Sequence, residues 1–136
     1  MRYTFEWLKT RLSRRSPLYD GQPWVTFRAR DWLLRNVGPA WRVFEWGAGG
    51  STIFFGRRAG EVVSVEHDKD WYDAVKKVVE NAGLRNIQLL WIPPERPAVE
   101  SNYLYRSGAR GYDDCTFRSY VMAVAEFPKN YFDLIL

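Results

Sequence analysis

Four β-strands alternating with helices, in an α/β fold with a doubly wound parallel sheet, are expected of this 136-residue chain. Three observations carry the expectation. An apolar run, Trp41 to Trp46, meets a glycine-rich turn, Gly47-Ala48-Gly49-Gly50. The turn feeds a short helical stretch, Thr52 to Arg58, giving the strand, glycine turn and helix from which doubly wound sheets build nucleotide sites. A second apolar run, Glu61 to Glu66, ends on a carboxylate near the roughly 20-residue offset at which an acidic side chain accepts ribose hydroxyls.

Ahead of the sheet, Phe5, Leu8 and Leu12 give residues 2–13 a helical stripe, and Ser16-Pro17 breaks it. Asp20-Gly21-Gln22-Pro23 is a turn signal with Pro23 suited to a first helical position, so a second helix is expected over 23–36 with Phe27, Leu34 and Val37 on one side. Residues 1–38 are read as a helical cap and 39–136 as the sheet domain. After the second strand, Asp68 or Asp70 can cap a helix that buries Trp71, Val75, Val78, Val79 and Ala82 and ends at Gly83. Asn86 to Ile92 is the third strand. Residues 93–114 have no period, and a connection that long is usually a lid, a binding loop or disordered, with Tyr103, Tyr105 and Tyr112 as lid candidates. A helix over 116–127 and a fourth strand over 131–136 complete the pattern. Right-handed parallel crossovers then give the order 3-2-1-4, with a ligand crevice between strands 1 and 4.

Composition narrows the function. Hydrophobic residues make up 46% and charged residues 26%, as in globular domains. The net charge of +4 is mild, and its one basic cluster, Lys9 to Arg15, reads as a solvated helix end, so nucleic acid is not an expected partner. Cys115 is the only cysteine, which rules out an internal disulfide and, with no metal-ligand companion, argues against a zinc site. No apolar run approaches the ~18 residues needed to span a bilayer and no secretory core opens the chain, so a cytoplasmic location is expected. Trp46 and Trp91 are read as core, and Cys115 as an inert buried thiol.

The glycine turn lacks the third glycine of a dinucleotide fingerprint, Thr52 standing in that place. Glu45 precedes Gly47 by two residues. Facing a ligand, it would repel a pyrophosphate by about 3 kcal/mol, for unit charges ~5 Å apart at an effective dielectric of ~20. It would attract an ammonium group equally. A ligand with a cationic amino-acid end and a ribose suits Glu45 and Glu66 together, and S-adenosylmethionine has both parts. Ser51 and Thr52 can cap the helix or bond a ligand carboxylate. On this reading Glu45→Lys is expected to empty the site and leave the fold intact.

The run Phe44 to Thr52, with Val65-Glu66-His67-Asp68 and Tyr131 to Leu136, resembles class I S-adenosylmethionine-dependent methyltransferases, most closely a bacterial subgroup with a Glu-Trp-Gly-x-Gly-Gly-Ser-Thr loop. The resemblance covers about residues 40–136 and implies a Rossmann-like fold. It implies that Gly47 and Gly49 approach the methionine moiety, that Glu45 holds its amino group and that Glu66 takes the ribose hydroxyls. The candidate cofactor-binding set is Glu45, Gly47, Gly49, Gly50, Ser51, Thr52, Glu66 and His67, with no metal and no assigned catalytic base. Three departures stand out. His67 occupies a position that is often apolar in the family. Trp91-Ile92-Pro93-Pro94-Glu95 lacks a clear adenine motif, and Asp133 opens the fourth strand rather than closing it. The family core has seven strands against four here, so a truncated form with little or no methyl transfer, self-associating through the fourth strand's edge, is expected. The methyl acceptor is open. Two other classes compete: a nicotinamide-dependent oxidoreductase, and a non-catalytic nucleotide-fold module that binds a partner through its aromatic surface.

Overall fold

The computed structural model describes residues 17–96 and 104–136. The helix expected over 2–13, and Tyr103, lie outside them. Among the described residues, α1 (Pro17–Asp20) and α2 (Phe27–Asn36) precede β1 (Arg42–Trp46). Then come α3 (Gly50–Gly56), β2 (Glu61–Glu66), α4 (Lys69–Asn81) and β3 (Ile87–Trp91). A helix α5 (Arg118–Met122) runs into a 3-10 turn, Ala123–Glu126, before β4 (Leu134–Ile135). The strands form one parallel sheet in the order β3-β2-β1-β4, as the alternation of elements predicts. Among the described residues, no helix is long and apolar enough to cross a membrane.

The pleat divides the core. Val43 and Val62 pack with Leu33, Val37, Phe54 and Phe55 on one face. Phe44, Val63 and Val65 pack with Ala123, Tyr120, Phe127 and Phe132 on the other. Side chains alternate along a strand, so Glu45 and its register partner Ser64 belong to the α3 face. This alternation decides where the candidate site residues point.

Several boundaries differ from expectation. Helix α2 starts at Phe27 rather than Pro23, because Gly21 takes φ +57° and the chain turns until Thr26, whose hydroxyl accepts the Ala29 N–H. It turns Leu33 and Val37 inward and leaves Leu34 exposed, since Leu34 lies about 100° around the helix from Leu33. Helix α3 starts two residues early, at Gly50. Asp68 caps α4 by accepting the Trp71 N–H at 2.8 Å, but in that helix only Val75 and Val79 are fully buried; Ala82 and Trp71 are exposed. The helix expected over 116–127 is divided between α5 and the 3-10 turn. Strand β4 is short, although Leu136 N–H still donates to Phe44 O at 3.0 Å. Trp91, read as core, is 44% exposed.

Close packing at the start of β2 makes a testable point. Gly60 N–H donates to Trp41 O, and a Cβ at Gly60 would overlap the Pro39 carbonyl oxygen. Backbone cannot swing aside as a side-chain tip can. Gly60→Ala should therefore lower stability by about 1–3 kcal/mol, the usual cost of overpacking. Urea denaturation measures it, and a midpoint equal to wild type would show that the 39–41 turn yields freely.

Candidate functional site

The glycine turn is built on a buried carboxylate. Gly47 leaves β1 at φ +79°, a conformation other residues adopt only with strain, and its N–H donates to Val65 O at 2.9 Å. Gly49 N–H donates to Thr52 Oγ1 at 2.8 Å. Thr52 Oγ1 in turn donates to Glu45 Oε1 at 2.5 Å, and Ser64 Oγ donates to the same oxygen at 2.5 Å. Glu45 is 1% exposed. Burial pushes its carboxyl above the ordinary range, against the opposing effect of the Ser51, Ser64 and Thr52 hydroxyls. The residue thus braces strand, turn and helix from beneath.

The raised value has a pH consequence. The folded state holds the Glu45 proton more tightly than the unfolded chain does, so its contribution is complete below the unfolded carboxylate value and is lost as pH rises through the folded one. Glu45→Gln keeps the shape and cannot ionise. Its melting temperature relative to wild type should climb as pH rises above the ordinary carboxylate range, from about pH 4 upward. A difference constant across that range would contradict the burial penalty.

Glu66 is buried as well, yet it borders open space. Its Oε1 accepts the backbone N–H groups of His67 at 2.7 Å and Asp68 at 2.9 Å, while among the described residues Oε2 accepts no hydrogen bond. The carboxylate shares a cavity of about 460 Å³ with Gly47, Ala48, Gly49, Gly50 and Ser51. Leu18 of α1, Gln22 and Trp24 of the turn after it, and Trp71 of α4 complete the lining. Trp71 is fixed there by its Nε1–H, which donates to Ala48 O at 2.7 Å. Trp24 is 91% exposed at the rim.

His67 points elsewhere. It packs edge-on among Tyr112, Phe117 and Tyr120, on the sheet face of Val65. The Tyr120 phenol is pushed up to about 12 by burial and then by the Glu66 charge. It is a neutral hydroxyl at physiological pH.

Of the expected site residues, Gly47, Gly49, Gly50, Ser51 and Glu66 line the cavity. Glu45, Thr52 and His67 do not: the first two form the brace beneath the loop, and His67 lies in the aromatic cluster. Leu18, Gln22, Trp24, Ala48 and Trp71 line it without having been expected there. Trp71 had a readable signal, its place in the first turn of the helix that follows Glu66. Leu18, Gln22 and Trp24 had none, because their nearness to the glycine turn depends on how α1 and the turn after it pack. Among the described residues, no group of three or more His, Cys, Asp or Glu side chains could hold a metal ion.

A doubly wound, Rossmann-like α/β sheet, with a glycine turn and a strand-end carboxylate on one cavity, is the class of structure these observations define. No family model matches the chain, and no curated protein matches it. Among solved structures it is similar to SMU.1697c of Streptococcus mutans, provisionally described as a methyltransferase and crystallised with SAH, at 18% identity and a TM-score of 0.45, over 48% of this chain and 39% of that one. It is also similar to a dimethyladenosine transferase of Plasmodium falciparum, at 18% identity and a TM-score of 0.41, over 50% of this chain and 26% of that one. The match therefore spans well under half the length of either neighbour.

Proposed function

We propose that this chain is the cofactor-binding domain of an S-adenosylmethionine-dependent methyltransferase. The observation that carries the reading is the shared cavity: the glycine turn and the Glu66 carboxylate face the same space. An acceptor-only carboxylate with one oxygen held by backbone N–H groups is suited to take a ribose diol on the other. The backbone of Gly47 and Gly49 lets the methionine end come close, and Leu18, Trp24 and Trp71 give a base apolar area. A cavity of about 460 Å³ suits one nucleoside with a short chain. In methyl transfer an acceptor lone pair attacks the sulfonium methyl carbon, the carbon–sulfur bond breaks, and the thioether leaves. The protein's part is alignment. The acceptor is a molecule that the cavity does not identify.

A second reading has an observation in its favour. Burial of Glu45 disfavours its charge, which weakens the electrostatic objection to a pyrophosphate at the turn. Thr52 in the third glycine place still counts against a dinucleotide. Calorimetry separates the readings. Saturable binding of S-adenosylmethionine and SAH, with none of NAD or NADP, is expected. Binding of the dinucleotide alone would reverse the assignment, and binding of neither would leave the aromatic interaction module.

A further inference from the structure

Glu66 and His67 are consecutive, and the pleat sends them to opposite sides of the sheet's end. Glu66 meets the cavity, while His67 enters a cluster in which its ring centroid lies 5.7 Å from Tyr112, 5.3 Å from Phe117 and 5.6 Å from Tyr120. All three contacts are edge-to-face, an arrangement that favours one ring orientation over others. In that orientation Nδ1 stays 3.0 Å from Glu66 Oε1.

Three nitrogens therefore surround one oxygen: the backbone N–H groups of His67 and Asp68 donate to it, and His67 Nδ1 lies in contact with it. The two backbone donors are fixed by the strand end. The imidazole is the one of the three whose place depends on a side chain, and that side chain is gripped by residues far along the sequence. Their segment is itself anchored. Phe117 N–H donates to Tyr105 O at 2.8 Å, and Glu95 and Thr116 exchange backbone hydrogen bonds at 2.9 and 3.1 Å.

The geometry points to His67 as a positioning residue: it turns the Glu66 carboxylate toward a ligand diol, and the grip of Tyr112, Phe117 and Tyr120 holds it there. The segment around α5 thereby bears on a cavity whose lining it does not join. The inference rests on Glu66 as the diol acceptor of the preceding subsection.

Two substitutions divide the roles of the ring. His67→Phe keeps an aromatic ring and removes Nδ1; His67→Asn keeps a nitrogen near the Nδ1 position and removes the ring. SAH affinity by calorimetry should fall about tenfold in His67→Phe, the scale of losing one polar contact with a charged group. It should stay within about threefold of wild type in His67→Asn, and fall about threefold in Phe117→Leu, which loosens the grip while leaving His67 in place. Amide exchange at Asp68 reads the same carboxylate without any ligand, with the Val63 amide as the reference for an intact sheet. It should quicken in His67→Phe and Phe117→Leu and not in His67→Asn. Equal loss in His67→Phe and His67→Asn would overturn the positioning role, because the ring would then matter only as filler. Unchanged affinity and exchange in His67→Phe would overturn it outright. If wild type fails to bind SAH, the functional reading falls instead, and Asp68 exchange alone decides the role of His67.

Discussion

Glu45→Lys should unfold the domain. The side chain is 1% exposed, and its Oε1 accepts from Thr52 and Ser64. An ammonium group in that place must either remain charged without a carboxylate or lose its proton. Deprotonating a lysine at pH 7 costs roughly 4–5 kcal/mol, from an ordinary pKa of about 10.4 at 1.36 kcal/mol per unit. The lost hydroxyl bonds add about 1 kcal/mol or more each. Against a typical domain stability of about 5–15 kcal/mol, the sum is enough to unfold a marginal chain. Near-ultraviolet circular dichroism and urea denaturation measure it, with Glu45→Gln as the variant expected to stay folded. A well-folded Glu45→Lys protein would mean that solvent reaches this carboxylate and that it faces the ligand, as the sequence alone suggested.

That contrast shows what the sequence could and could not convey about the site. The sheet was legible because β1 and β2 are apolar runs bounded by turn residues, and their alternation with helices permits few parallel topologies. Glu66 was legible because it ends the strand beside the glycine turn, at the offset expected of a carboxylate that takes ribose hydroxyls. Glu45 was not. It lies inside a strand buried on both faces, and such strands lack the polar–apolar alternation that tells one face from the other. Its partners are Thr52, one helical turn beyond the glycines, and Ser64 on the neighbouring strand. Only the register pairing Glu45 with Ser64 brings the second of them into contact. His67 was singled out as unusual for its position, but its surroundings come from Tyr112, in a stretch without a period, and from Phe117 and Tyr120, in a helix whose packing on the sheet no local pattern conveys. The α1 wall was hidden for a similar reason. Residues 1–38 read as a cap, and nothing in their pattern says that Leu18 packs with Ala48 and Ile53 beside the glycine turn.

Glu66→Ala should weaken SAH binding by roughly 10- to 100-fold, the range for losing hydrogen bonds to a charged acceptor. Part of any loss will be indirect, because the Ala variant also strips the His67 and Asp68 N–H groups of their acceptor. Unfolding free energy should accordingly drop by about 1–3 kcal/mol. Glu66→Gln separates the two effects. Its carbonyl can still accept the backbone donors, so stability should stay near wild type, while the amide beside the ligand lacks the charge and affinity still falls. A ligand cycle then tests the contact itself. An SAH analogue without the two ribose hydroxyls should lose far less affinity than SAH does in Glu66→Ala, since the group that Glu66 would hold is gone and only the indirect part remains. The coupling between side chain and diol should therefore account for most of the loss. If Glu66→Ala weakens SAH and the diol-free analogue equally, the carboxylate supports the cavity wall and does not hold a ribose. If neither variant changes SAH affinity while wild type binds, Glu66 is no part of the site.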